Sequence, residues 1–200
     1  RQYEHTLLQD DYIVLEAVDG KEGLEIAKKE VPDLVICDVM MPVMDGLEFT
    51  EQLKTITATS HIPVIMLTAK NLEEHRAEGY EHGADSYITK PFHSKVLLAR
   101  IENLLKQRKL LKKLFQGSQV AEQEIAESHL EDRDKQFLKQ LHAIIQQNLS
   151  DSEFSVEDIG KQIGLSRVQL YRKVKAMTGS SVVDLLRNAR LAKAKRLLET

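Results

Sequence analysis

Cysteine is nearly absent: the 200-residue chain holds one, Cys37. A single thiol forms no internal disulfide, which excludes a disulfide-stapled scaffold and fits a reducing compartment. Tryptophan is missing altogether and aromatics make up only 5% of the chain, so the core must be mostly aliphatic. No stretch approaches the roughly 20 apolar residues of a membrane span. What is present is ordinary for a globular protein, with 42% hydrophobic and 30% charged residues. That length suits one large domain or two small ones.

The net charge of −3 hides an asymmetry. Residues 134–200 carry 12 Lys and Arg against 7 Asp and Glu, a net of +5, and the residues before them a net of −8. An acidic part followed by a basic part suggests two domains with different partners. For the basic one, nucleic acid is the first candidate.

From Tyr12 to about Gln107 the pattern alternates. YIVLEA (12–17), PDLVICD, IPVIMLTA and DSYIT read as short strands. GKEGLEIAKKE, GLEFTEQLKTI, NLEEHRAEGYEHG and HSKVLLARIENLLKQRKLLKKLF read as the helices between and after them. Short apolar strands alternating with helices imply an α/β fold with a parallel sheet covered on both faces. Functional groups in such sheets collect at the C-terminal strand ends. Asp38, Thr68 and Lys90 stand at those ends, 30 and 22 residues apart. A lone carboxylate closing a buried strand is costly unless it is paired or used. Convergence with a hydroxyl and an amine turns it into a candidate site.

After Phe115 the texture changes. Residues 108–133 read as a helical linker or an extension of the preceding helix, with Leu104, Leu105, Leu111 and Leu114 near one stripe. From Asp134 the pattern is all-α. Phe137, Leu138, Leu141, Ile144 and Ile145 share one helix face. SVEDIGKQIGLSRVQLYRKVKAMTG then reads as two short helices around a Gly-containing turn, with Ser155 and Ser166 as N-caps and Gly179 as the stop. Helix, tight turn and helix with a basic outer face is the helix-turn-helix arrangement.

DLVICDVMMPVMDGLEF, PVIMLTAK and GADSYITKPF resemble a response-regulator receiver domain over residues 1–107. The resemblance implies a flavodoxin-like fold, with Asp38 as phosphoacceptor for a histidine kinase and Thr68 and Lys90 binding phosphoryl oxygens. It further implies Tyr87 as the switch aromatic, a cis Lys90–Pro91 bond, and Mg²⁺ held by Asp38 and the Met40 carbonyl. The family also has a first strand ending in two acidic residues that complete the metal site. RQYEHTLLQDDY reads instead as the last turns of the first helix. The expectation is therefore a fragment whose first strand is missing, with Mg²⁺ binding crippled.

FSVEDIGKQIGLSRVQLYRKVKAMTGSSVVDLLRNARLAKAKRLLE resembles the first helix-turn-helix unit and linker helix of an AraC-type DNA-binding domain, placed on residues 134–200 with the second unit missing. The expected recognition helix presents Arg167, Val168, Arg172 and Lys175 outward and Leu170, Val174 and Met177 inward. Arg172 is the base-reading candidate for guanine and Gln169 for adenine. Arg167, Lys173 and Lys175 are candidates for phosphate.

Together the resemblances imply a phosphorylation-controlled, homodimeric transcription regulator. It would be cytoplasmic, either free or as the cytoplasmic end of a membrane-bound hybrid sensor. The alternative is a receiver that docks partners without phosphorylation. A phosphatase using Asp38 as nucleophile lacks its general acid, because Met40 stands where one is needed, so the chain is not expected to be an enzyme.

Overall fold

The computed structural model describes residues 8, 11–69, 83–115 and 132–199. The chain divides into two compact units, Arg1–Lys106 and Gln107–Thr200.

In the first unit, Asp19 caps α1 (Gly20–Glu30) by accepting from the Glu22 N–H. The chain then enters β1 (Val35–Asp38), α2 (Gly46–Thr55), β2 (Val64–Ala69), β3 (Ser86–Lys90) and α3 (Ser94–Phe115). The three strands are parallel in the order β1-β2-β3. Alternation along β2 shows why its sequence is apolar throughout. Val64 and Met66 pack with Leu24, Ala27, Phe49 and Leu53 on the face covered by α1 and α2. Ile65 and Leu67 pack with Ile88, Leu97 and Ile101 on the face covered by α3. A strand buried on both faces has no polar side to show.

The expected strand at 12–17 is not one. Residues 13–17 run without strand geometry, and Ile13 is 96% exposed. A strand exists through its ladder. β1 pairs with β2 along one edge, and no described strand lies along the other, so a β-branched composition alone cannot hold the segment. The expected helix at 71–83 falls mainly outside the described residues, as do nearly all of 1–10 and residues 116–131 of the linker.

The second unit comprises α4 (Asp132–Gln147), α5 (Val156–Ile163), α6 (Arg167–Thr178) and α7 (Val182–Leu198). Its core joins Phe137, Leu138, Leu141, Ile144 and Ile145 of α4 to Ile159, Leu170, Val174, Met177, Val182 and Leu186. Gly164 ends α5 at φ 79°, a left-handed conformation that glycine adopts without Cβ strain. Ser166 starts α6 two residues later with a reciprocal cap: its hydroxyl accepts from the Gln169 N–H, and Gln169 Oε1 accepts from the Ser166 N–H.

Two caps are expected to make this unit's stability depend on acid. The Ser155 hydroxyl and backbone N–H, with Lys161 nearby, hold Asp158 below the usual carboxylate range, and the Ser181 hydroxyl with Arg187 does the same for Asp184. A depressed carboxylate contributes stability that is complete above its unfolded value and lost as pH falls through its folded value. The thermal midpoint of the second unit is expected to drop below about pH 4. Replacing both Asp158 and Asp184 by Asn should flatten that dependence. An unchanged pH profile in the double variant would sink the assignment.

Candidate functional site

The C-terminal ends of β1, β2 and β3 lie side by side because the strands are parallel and nearly in register. Asp38 is level with Leu67, Thr68 with Thr89, and Ala69 with Lys90. Asp38 and Lys90 therefore meet across the end of β2, and Lys90 Nζ donates to Asp38 Oδ2. Both side chains are about one-third exposed, at 33% and 38%, so the pair is accessible from solvent. The Met40 N–H donates to Asp38 Oδ1 at 3.1 Å. Thr68 is buried, and its hydroxyl makes a long contact to its neighbour's carbonyl at 3.4 Å. Tyr87, level with Met66, lies buried on the same sheet face as Thr68. The Lys90–Pro91 bond is cis.

The turn after β1 is held by backbone. Val39 N–H donates to Leu67 O, and Gly46 N–H donates to Val39 O at 3.0 Å. Asp45 caps α2 through Glu48 N–H at 2.9 Å, which keeps its carboxylate at the helix end. The Met40 and Val43 side chains are exposed on this turn.

Asp38 with the Met40 carbonyl is the only part of the expected Mg²⁺ set that the described residues supply. Among them, no group of three His, Cys, Asp or Glu residues could hold a metal ion. Mg²⁺ favours a near-octahedral shell of oxygens, and one carboxylate already paired to Lys90 falls short of that.

The second candidate surface is on α6. Arg167 is exposed and pairs with Glu157 at 2.8 Å. Val168 and Lys175 are exposed, while Arg172 is half-buried with Nη1 enclosed. Two expectations need correction. Lys173 is fully buried and its Nζ lies 2.8 Å from Asp134 Oδ1, so it is turned away from any phosphate. Gln169 Oε1 is held in the cap of α6, so reading adenine with both amide groups would dismantle that cap. Sequence reasoning missed Tyr171, which is 48% exposed and one turn beyond Arg167 and Val168. Helical spacing places it beside Val168, Arg172 and Lys175, a signal available in the sequence.

Residues 1–102 match the response regulator receiver domain. The whole chain is 38% identical to part of "Histidine kinase P4" of Formosa agariphila, of which it covers 14%. Over 107 residues, 54% of the chain, it is 39% identical to the alkaline phosphatase synthesis transcriptional regulatory protein PhoP of Bacillus subtilis, covering 44% of that protein. Among solved structures, the signal receiver domain of a signal transduction histidine kinase from Syntrophus aciditrophicus matches 52% of this chain and 80% of its own, at 33% identity and a TM-score of 0.50. The chain thus spans well under half the length of the first relative and under half of the second.

Proposed function

The chain belongs to the response regulator receiver family through residues 1–102, and on that premise we propose that phosphorylation of Asp38 controls DNA binding by the second unit. The N-terminal fold is the flavodoxin-like receiver fold, and its relatives are two-component response regulators and hybrid histidine kinases. The observation that carries the proposal is the Asp38–Lys90 pair at adjoining strand ends.

The chemistry is nucleophilic transfer. An Asp38 carboxylate oxygen attacks the phosphorus of a phosphohistidine; a P–O bond forms and the P–N bond breaks, leaving its electron pair on the imidazole. The product is an acyl phosphate. Lys90, released from the carboxylate, pairs with a phosphoryl oxygen, and the Met40 N–H keeps the carboxylate aimed. Thr68 supplies a hydroxyl to another phosphoryl oxygen, and Tyr87 on the same face takes up the room Thr68 vacates. The partner is a histidine kinase, in the same chain or another.

For the second unit, we read α5–turn–α6 as an AraC-type helix-turn-helix. It is supported by the reciprocal cap at Ser166, the left-handed Gly164 and the outward set Arg167, Val168, Tyr171, Arg172 and Lys175. The match to the Formosa protein runs through this unit as well. A homodimer on adjacent half-sites is the form in which such a reader would act. No described helix is long and apolar enough to cross a membrane.

A second reading, a receiver that docks partners without phosphorylation, is favoured by the incomplete metal set among the described residues. One experiment separates the two. The chain is incubated with acetyl phosphate and Mg²⁺, weighed intact, and titrated against a duplex selected from a random pool. A gain of one phosphoryl group, absent in Asp38→Asn, together with a phosphodonor-dependent change in duplex affinity, supports control by phosphorylation. No mass gain, or an affinity in Asp38→Asn that still responds to the phosphodonor, overturns it and leaves docking.

A further inference from the structure

Lysine is among the residues least often buried, and a buried ammonium is tolerated only where it is paired. Lys173 has no exposed surface. It lies on α6 between Leu170 and Met177, on the face that packs into the core, immediately after Arg172 of the outward face. Two groups of α4 enclose it. Asp134 Oδ1 sits 2.8 Å from Nζ, and the Phe137 ring centroid is 4.8 Å away. Asp134 is itself 4% exposed and stands in the first turn of α4. A carboxylate there also complements the partial positive charge of a helix N-terminus. A buried ion pair adds little net stability against apolar residues of the same size, but it tolerates few alternative placements. In this unit it links α6 to the first turn of α4.

The location of Asp134 gives this pair a second consequence. Helix ends fray before helix middles. α4 is the first described helix to begin within the second unit, and residues 116–131 precede it in the chain. Whatever rotates or unwinds the first turn of α4 withdraws the carboxylate first and leaves Lys173 buried without it. We infer that Asp134 is a positioning residue for α6, acting through Lys173, so that DNA affinity follows the state of the first turn of α4. This inference rests on the helix-turn-helix reading of α5 and α6, and it names the point at which that surface is regulated.

The test uses the full chain well below its thermal midpoint, where every variant is confirmed folded by circular dichroism. Segment-resolved hydrogen exchange reads α6, and a duplex selected from a random pool with the parent chain reads affinity and its salt dependence. Asp134→Asn keeps the shape and removes the charge. It is expected to speed exchange in 167–178 and weaken duplex binding, each by about tenfold or more, with exchange in β1–β3 unchanged. The double variant Asp134→Leu with Lys173→Met should restore both, because apolar partners of similar size fill the same space. Its salt slope should match the parent's, whereas a lysine that touched phosphate would lower the slope by about one when removed. If Asp134→Asn unfolds the unit, Asp134→Glu replaces it: the charge remains but one extra methylene must displace α6, and faster exchange in 167–178 is again expected. Unchanged exchange in the single variant overturns the inference, and so does a double variant with reduced slope. If the parent chain selects no duplex, the DNA reading fails, while the exchange arm still decides whether Asp134 positions α6.

Discussion

Alanine at Gly46 is expected to destabilise the N-terminal unit by about 3 kcal/mol, at the upper end of the usual range for overpacking, and to slow phosphoryl incorporation at Asp38 by about a hundredfold. A Cβ at position 46 would lie 2.3 Å from the Asp38 carbonyl oxygen, 3.0 Å from its carbon and 3.0 Å from Val39 Cα. All three are backbone atoms, so no side chain can swing aside. Relief requires α2 to back away from the turn or the turn to move. The first course breaks the 3.0 Å hydrogen bond from Gly46 N–H to Val39 O. The second shifts Asp38, the nucleophile of the proposed reaction, and misplacing a reacting group by about 1 Å loses two orders of magnitude. Gly23→Ala is the control. There the nearest atom is a Phe49 ring carbon at 3.3 Å, a side-chain contact that needs a shift of only a few tenths of an ångström, against which stands the gain of about 0.5–1 kcal/mol for alanine in a helix interior. Urea unfolding and the rate of mass gain from acetyl phosphate measure both effects. Parent-like values for Gly46→Ala would mean that the turn after β1 is looser than its hydrogen bonds indicate.

What could be read from the sequence depended on whether the deciding partner was near in the chain. α1 was legible to the residue, since its start at Gly20 follows a capping aspartate and its apolar positions recur at helical spacing. β2 was legible because a strand buried on both faces leaves an unbroken apolar run. Asp38 and Lys90 were legible together because parallel strands bring their C-terminal ends into line, whatever the loops between them do. The failures involve partners far along the chain or absent from the described sheet. Residues 12–17 have the composition of a strand but no ladder among the described strands. Lys173 is a phosphate candidate by its charge alone, although its spacing from Leu170 and Met177 already places it on the buried face. The group that permits its burial is Asp134, 39 residues away, and nothing local announces it. Gln169 was read as a base contact and serves as a cap, a choice that only the position of Ser166 decides. Tyr171 went unnoticed because an aromatic in a helix is more often core.

Leu170→Ala is expected to lower the stability of the second unit by about 2–5 kcal/mol, the range for deleting a buried leucine side chain, while leaving the first unit unchanged. Leu170 is fully buried in a core that, among the described residues, draws on α4–α7 and the loops between α4 and α6. Among the described residues, the cores of the first unit draw on positions up to Leu105. The atoms deleted in Leu170→Ala belong to the second unit's core. The chain has no tryptophan to report each unit separately, so segment-resolved hydrogen exchange in urea is the suitable measurement. Protection in α4–α7 should be lost at lower urea, and protection in β1–β3 should be lost at the parent's concentration. Equal shifts in both would show one cooperative unit, and the separate-core argument would fall. Tyr171→Ala on the same helix provides the contrast. Its side chain is exposed, so its effect on stability should stay within about 0.5 kcal/mol, while duplex affinity falls if the outward face of α6 reads DNA. On the proposed helix-turn-helix reading, α6 has one face whose removal is expected to be felt in folding and another whose removal is expected to be felt in binding. Lys173 stands on the first and governs how the second is presented. Leu170→Ala should therefore weaken duplex binding only under conditions where the second unit begins to unfold, and Asp134→Asn should weaken it where the unit is still fully folded.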